Sequence, residues 1–183
     1  MNVMVFDTET TGLPKHPSVD ISKQPKIIEF GAVILDENGE IVKSYNQLIN
    51  PQEQIESIIT KITGITNDDL IGKPVFKDVW PEIMALFNES DLMVAHNLAF
   101  DRGLVGFELR RMGIDFKFPT GVCTVEENRA RYGYRPKMVQ LYADVCGHAL
   151  AQTHRAIDDC TALAEIWTTG GFHATFIENQ NRM

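Results

Sequence analysis

Two carboxylates one residue apart, at the end of an apolar run, dominate the start of this chain. The segment from Met4 to Leu13 reads MVFDTETTGL. Such a run, ending in a Thr-Gly turn, predicts a buried strand, and strand side chains alternate between faces. Val3, Val5, Asp7 and Glu9 therefore share one side, while Met4, Phe6 and Thr8 share the other. Like charges held side by side at the end of a buried strand repel, and the arrangement is costly unless a cation lies between them. A divalent metal is the simplest occupant. A solvated strand end is the alternative for a D-x-E pattern standing alone.

Two later segments favour the metal. The first, VAHNLAFDRGLVGFELRRMG over residues 94 to 113, starts as an apolar strand and turns helical after Asn97, a favourable N-cap. Steps of three and four from Asp101 reach Leu104, Val105, Glu108, Leu109 and Met112, so this aspartate lies on a mostly apolar face. The bland reading is an acidic residue complementing a helix N-terminus. The second, THRAIDDCTALAEIW over residues 153 to 167, places a histidine before a helix whose apolar stripe includes Ala156, Cys160, Leu163, Ile166 and Trp167. Asp159 falls on that stripe, whereas Asp158 falls with Thr161, Ala162 and Glu165 on the side expected to meet solvent.

Together the three segments resemble the DEDD exonucleases, in the subclass with a histidine in the last motif. That DEDDh, DnaQ-like group includes the proofreading epsilon subunit of bacterial DNA polymerase III, RNase T and oligoribonuclease. The motifs are FDTETTGL at residues 6 to 13, AHNLAFD at 95 to 101 and HRAIDD at 154 to 159, in the family's order. Each motif alone is weak, and three in order are specific. The resemblance spans about residues 3 to 168. Its spacing of histidine to aspartate selects Asp159 as the last ligand, in agreement with the helical phase.

The resemblance implies a 3′-to-5′ exonuclease that hydrolyses phosphodiester bonds with two divalent cations, Mg²⁺ or Mn²⁺, held by carboxylate oxygens. It implies that Asp7 bridges both ions and that Glu9 and Asp159 complete one site. Asp101 supports the other ion directly or through water. His154 is then the general base, since imidazole is the side-chain type that takes up a proton near neutral pH. Thr10 and Leu13, in the turn after the first strand, become substrate contacts, with close backbone approach at Gly12 and Leu13 wedged against a terminal base. ITGIT at 62 to 66 nominates Ile65, and Asn97 and Phe100 flank Asp101 near sugar or base. Structural readings stand beside these: Leu13 and Ile65 as core, Asn97 as a cap and Phe100 as packing. Glu29, inside the apolar run KIIEFGAVIL, is expected to be paired for structural reasons.

At 183 residues and 44% hydrophobic content, the chain suffices for one domain with a full core. We expect an exonuclease domain over 1–169 and a C-terminal tail over 170–183 that is not a separate domain. Cys123, Cys146 and Cys160 are scattered, odd in number and without metal-ligand spacing, which fits a reducing compartment. The first strand begins at the amino terminus, so no signal peptide is expected, and no apolar run is long enough for a membrane. A cytoplasmic location is the expectation. The net charge of −8 argues for gripping a short 3′ end rather than coating a long polyanion. Local cations at Arg110 and Arg111, and from Arg129 through Arg131 to Arg135 and Lys137, meet phosphates or form a solvated face.

Strands are expected near 2–9, 26–36, 39–49, 91–96 and 119–124, the second and third joined by the turn DENG. A helical region over 54–88 is interrupted near Gly64 and Pro74, and further helices follow at 98–112, 125–131, 138–146 and 155–168. This order suggests an α/β domain with a five-stranded mixed sheet flanked by helices, the ribonuclease H-like fold that the resemblance implies. After Trp167 the tail TTGGFHATFIENQNRM reads equally as a strand, a dimer contact or a loose end. The leading function is cleavage at single-stranded or frayed DNA 3′ ends, releasing nucleoside 5′-monophosphates, in a proofreading role. The alternative within enzymes is a 3′ exoribonuclease, and the alternative of another class is a catalytically silent 3′-end-binding module. A DNA polymerase partner, such as the epsilon subunit has, is left open, because no counterpart of epsilon's long polymerase-binding segment is visible. The oligomeric state is open.

Overall fold

The apolar strand that opens the chain becomes the middle of a sheet. In a computed structural model that describes residues 1–181, β1 (Val3–Thr10) pairs antiparallel with β2 (Ile27–Leu35) and parallel with β4 (Leu92–Ala95). β3 (Ile41–Leu48) and β5 (Thr120–Cys123) form the edges, giving the order β3-β2-β1-β4-β5. Each strand lies within two residues of its expected bounds. β2, flanked on both sides and covered on both faces, is buried throughout, which explains a sequence, IIEFGAVIL, that is apolar apart from Glu29. The DENG turn is held by the Asp36 carboxylate, which accepts from the amides of Asn38 and Glu40.

Alternation along β1 divides the core into two layers. Met4 and Phe6 join one cluster with Phe30, Phe87 and Leu104, beneath α3 (Phe76–Asn88) and α4 (Leu98–Met112). Val3 and Val5 join another with Leu141, Leu163 and Trp167, beneath α6 (Met138–Cys146) and α7 (Ala156–Thr169). The expected helical region from 54 to 88 is split into α1 (Ser57–Thr63), α2 (Asn67–Leu70) and α3. Gly64 ends α1 in the left-handed conformation that glycine adopts without strain. Thr66 and Asp69 then form a reciprocal capping box at the start of α2. α5 (Thr124–Tyr132) follows β5 directly.

The segment after Gly170 is helical, as α8 (Phe172–Asn181), rather than a strand. It folds back on α7, with Phe172 stacked on Trp167 and the Trp167 indole N–H donating to His173 Nδ1 at 3.2 Å. Residues 182 and 183 of the expected tail lie outside the described residues.

Two devices lock the layers at the end of the sheet where the parallel strands terminate. On one face Glu108 and Arg111 of α4 form a largely buried ion pair at 3.0 Å. Glu108 accepts from the Ile27 amide, and Arg111 donates to the carbonyls of Gln24 and Pro25, fixing the entry to β2. On the other face α7 begins against Gly31. A Cβ there would lie 2.6 Å from the Ala156 carbonyl carbon and 2.7 Å from the Ile157 nitrogen, both backbone atoms that cannot rotate away. Gly31→Ala is therefore expected to lift the start of α7 and destabilise the domain by about 1–3 kcal/mol, the usual cost of overpacking. An unchanged urea midpoint in that variant would show that α7 is free to shift.

Candidate active site

β1 lies where the strand order reverses, between antiparallel β2 and parallel β4, the place where open α/β sheets form clefts beyond the strand ends. A cleft of ≈ 610 Å³ opens there and is lined by Asp7, Glu9, Asp101, Gln152, His154 and Asp159, among others. The carboxylates arrive from both layers. Asp101, in the first turn of α4, reaches β1 from the Met4 and Phe6 side, and its Oδ1 accepts from the Thr8 amide at 3.1 Å and the Thr8 hydroxyl at 2.8 Å. Asp159, in the first turn of α7, arrives from the Val3 and Val5 side, where Asp7 and Glu9 point, and accepts from Gln152 Nε2 at 3.0 Å. The β1–β2 register shifts between Glu9 and Thr10, an irregularity of the kind that re-aims side chains beside a site.

Burial and mutual repulsion raise the proton affinity of these groups. Desolvation raises the Asp7 carboxyl well above the usual range, and the charges of Asp101, Glu9 and Asp159 add to it. Asp7 keeps some surface toward the cleft and is enclosed on its other sides. Burial, then Asp159, moves Glu9 from an ordinary 4.5 to about 8, with Arg155 opposing. Asp101 rises to about 7 through burial, against the hydrogen bonds from Thr8. Asp159 is also raised by burial, with the Gln152 contact opposing.

One donor atom each from Glu9, His154 and Asp159 lies within 4.8 Å of the others. Three further acidic groups sit close behind this trio: Asp7 and Asp101 in the cleft, and Glu29 deeper in the sheet. An acidic, oxygen-rich donor set with raised proton affinity suits a hard divalent cation, which would displace the protons. His154 is exposed and takes φ +53°, a left-handed conformation unfavourable for a side chain with a Cβ.

The strain is anchored next door. Glu29 is wholly buried and paired, as expected, and its partner is Arg155: Nη2 meets Oε1 at 2.6 Å and Nε meets Oε2 at 3.0 Å. The Ala156 amide donates to Glu29 Oε2 at 3.0 Å, and Asn46 donates to Oε1. Glu29 thus caps α7 from a neighbouring strand, fixing His154 on one side and Asp159 on the other.

The other expected contacts are divided. Leu13, 78% exposed, and half-buried Phe100 line a second groove of ≈ 780 Å³ beside the cleft, with Thr10, whose hydroxyl donates to the Gly12 carbonyl. Gly12 is open: a Cβ there would meet nothing within 4 Å. Ile65 is corrected. It is buried with Ile28, Ile55 and Leu70, and the groove is faced by Ile58 and Ile62 of α1 instead. ITGIT ends a helix, and the left-handed turn at Gly64 sends the next side chain inward. Asn97 occupies the N-cap of α4 but makes no capping bond. Its backbone is left-handed, and its Oδ1 accepts from Arg135 at 2.6 Å.

His96 and Gln152, which sequence reasoning missed, also line the cleft. His96 Nδ1 lies 3.0 Å from the Thr124 hydroxyl, and burial, against a hydrogen bond with the Pro136 backbone, lowers its pKa to about 4. It is neutral near pH 7. Its place in AHNLAFD was the available signal, whereas Gln152 carried none.

An exonuclease family model matches residues 4–167. The chain belongs to the DEDDh, DnaQ-like exonucleases. The DNA polymerase III PolC-type of Clostridium perfringens (strain 13 / Type A) is 40% identical over 164 residues, covering 89% of this chain and 11% of that protein. The DNA polymerase III PolC-type of Thermotoga petrophila is 33% identical over 165 residues, 90% of this chain and again 11% of the relative. The chain thus spans about a tenth of the length of these curated relatives. Among solved structures, the nuclease domain of 3'hExo, a DEDDh member bound to rAMP, superposes with a TM-score of 0.75 at 16% identity, covering 94% of this chain and 92% of that one. Exonuclease X in complex with 5′ overhanging duplex DNA gives 0.63 at 27% identity, over 92% and 93% of the two chains. The expected ribonuclease H-like fold of this DEDDh exonuclease is thereby confirmed. No helix among the described residues is long and apolar enough to cross a membrane.

The raised carboxyls set a pH dependence for the metal-free chain. Folding keeps protons that the unfolded chain releases, so stability from them is complete below the ordinary values of 3.8 and 4.5 and is lost as pH rises through about 7 and 8. In chelator, the urea midpoint should fall from about pH 5 to about pH 8, less steeply in Asp7→Asn, and divalent metal should restore it at the upper end. Identical slopes for the two proteins would remove the carboxylate cluster as the cause. Separately, Glu29→Gln should destabilise the chain by about 2 kcal/mol, between surface and fully buried ion pairs, as read from the same midpoint.

Proposed function

We propose that this exonuclease works from the 3′ end, with divalent metal, on single-stranded or frayed DNA, releasing nucleoside 5′-monophosphates. The observation that supports this reading is the convergence of four carboxylates, each with its proton affinity raised by burial, on a cleft whose mouth carries His154. Asp7, Glu9, Asp101 and Asp159 would hold two ions, Mg²⁺ or Mn²⁺. Such ions, when bound, supply positive charge to the phosphoryl oxygens and favour ionisation of the attacking water.

The chain's own residues supply the remainder. His154, exposed at the cleft and held by the Arg155 anchor, takes the proton of the attacking water. One of its ring nitrogens lies within 4.8 Å of a carboxylate oxygen of Glu9 and of Asp159, which leaves room for a water between the three groups. Thr8 fixes Asp101 through two hydrogen bonds, and Gln152 fixes Asp159. Leu13, Thr10, Phe100 and Asn97 receive the terminal nucleotides, and exposed Leu13 wedges the last base away from its neighbours. DNA is preferred to RNA because the relatives at 40% and 33% identity are DNA polymerases by name, which also supports a polymerase partner and a proofreading role. A cytoplasmic site of action follows from the same reading.

The test is digestion of 3′-labelled and 5′-labelled single-stranded DNA and matched RNA with Mg²⁺, Mn²⁺ or chelator. Metal-dependent release of mononucleotides from the 3′ end, faster on DNA, is expected. Asp7→Ala should be inactive, and His154→Ala should lose about 10²–10⁴-fold in turnover while still binding metal and DNA. Faster RNA trimming would make the protein an exoribonuclease, and 3′-end binding without turnover a silent module.

A further inference from the structure

One wall of the cleft continues onto a surface that the catalytic site does not use. Arg135 and Lys137 line the cleft, and the chain running up to them carries Arg131 and Tyr132 in the last turn of α5 and Tyr134 just beyond its Gly133 cap. Between Thr124 and Gln140 the sequence has four cations and two carboxylates, in a protein whose net charge is −8. Two of those cations are already engaged: Arg129 and Arg135 both pair with Glu126, and Arg135 also donates to Asn97. Arg131 and Lys137 have no ion pair among the described residues.

The aromatic residues are held in place. Tyr134 is 50% exposed, yet its hydroxyl accepts from Gln140 and its ring meets Tyr132 edge-on, with centroids 5.8 Å apart. Tyr132 is fixed in turn by its hydroxyl on Asp144 at 2.5 Å and by the Arg131 guanidinium, 5.6 Å from its ring centre. An exposed aromatic ring that has already lost its rotational freedom offers a flat apolar face at low entropic cost. Nothing in the core needs it there.

We propose that Tyr134, flanked by Arg131 and Lys137, is a stacking platform for the single strand on the 5′ side of the cleaved bond. A base laid on the Tyr134 ring would leave its phosphates between the two unpaired cations, the arrangement by which proteins hold single strands without reading sequence. Charge complementarity is local and modest, so stacking carries most of the grip. This inference rests on the exonuclease reading above and adds the place where substrate beyond the terminal nucleotides is held.

Competition anisotropy in EDTA tests the platform without catalysis. Unlabelled oligo-dT of two to twelve nucleotides displaces a labelled twelve-mer from the full chain and from Tyr134→Ala and Tyr134→Phe. The alanine variant should weaken the twelve-mer about 10-fold and the dinucleotide not at all, while phenylalanine, which keeps the ring, restores the affinity. With two cations engaged, the affinity of the unaltered chain should fall with salt with a slope of about −1.4. Equal affinities for the alanine variant and the unaltered chain at every length would overturn the platform, as would a loss of the same size on the dinucleotide. Unaltered urea midpoints keep misfolding out of the comparison. Hydrolysis of a nitrophenyl ester of thymidine 5′-monophosphate by the unaltered chain reads the catalytic assignment separately. Its failure with Mg²⁺ and Mn²⁺ would overturn that assignment, while the binding profile still decides the platform.

Discussion

Repulsion among carboxylates enclosed at the end of one strand governs this molecule. Asp7, Glu9, Asp101 and Asp159 lie where burial disfavours their charge and each disfavours the others'. A fold selected for stability alone would not gather them, so the surroundings must hold them in place. Thr8 does so for Asp101 and Gln152 for Asp159, each through hydrogen bonds that favour the charged form. Glu29 is treated differently. It is the most deeply buried of these five acids, and of the five it alone has a guanidinium opposite it. The one neutralised carboxylate is structural, and those left without a cation line the cleft.

That division gives β2 a role that its apolar composition conceals. Glu29 and Gly31 lie two residues apart on the same face, paired in register with Glu9 and Asp7. Gly31 gives way so that α7 can touch the sheet, and Glu29 caps the helix that arrives. The strand beside the catalytic one therefore sets the height at which Asp159 and His154 stand. An alanine at 31 or a neutral residue at 29 would change that height without touching any group in the cleft.

Much of this was legible from periodicity. Alternation along β1 placed Asp7 and Glu9 on one side, and helical phase separated buried Asp159 from exposed Asp158, because both depend on backbone geometry over a few residues. The strands and most helices followed from the same signals. What stayed hidden was long-range. Arg155 lies 126 residues from Glu29, and nothing local marks it as that acid's partner. Ile65 looked available because its motif is short, yet the left-handed turn at Gly64 directs it inward, a choice made by tertiary burial. The last helix escaped because its sequence has little amphipathic pattern, and its docking depends on Trp167 and His173 meeting across the Gly-Gly break.

Asp101 approaches β1 from one layer and Asp159 from the other, so the cleft is a seam between two halves of the core rather than a hollow in one of them. Its geometry is a gauge of how closely the layers are pressed together. Fraying at the start of α4 removes one jaw and fraying at the start of α7 removes the other, so the intact set exists only while both helices are docked. Whatever binds across the seam draws on the closed state of both layers at once. Two helices that share no strand face thereby open and close as a single cooperative unit whenever the cleft is filled.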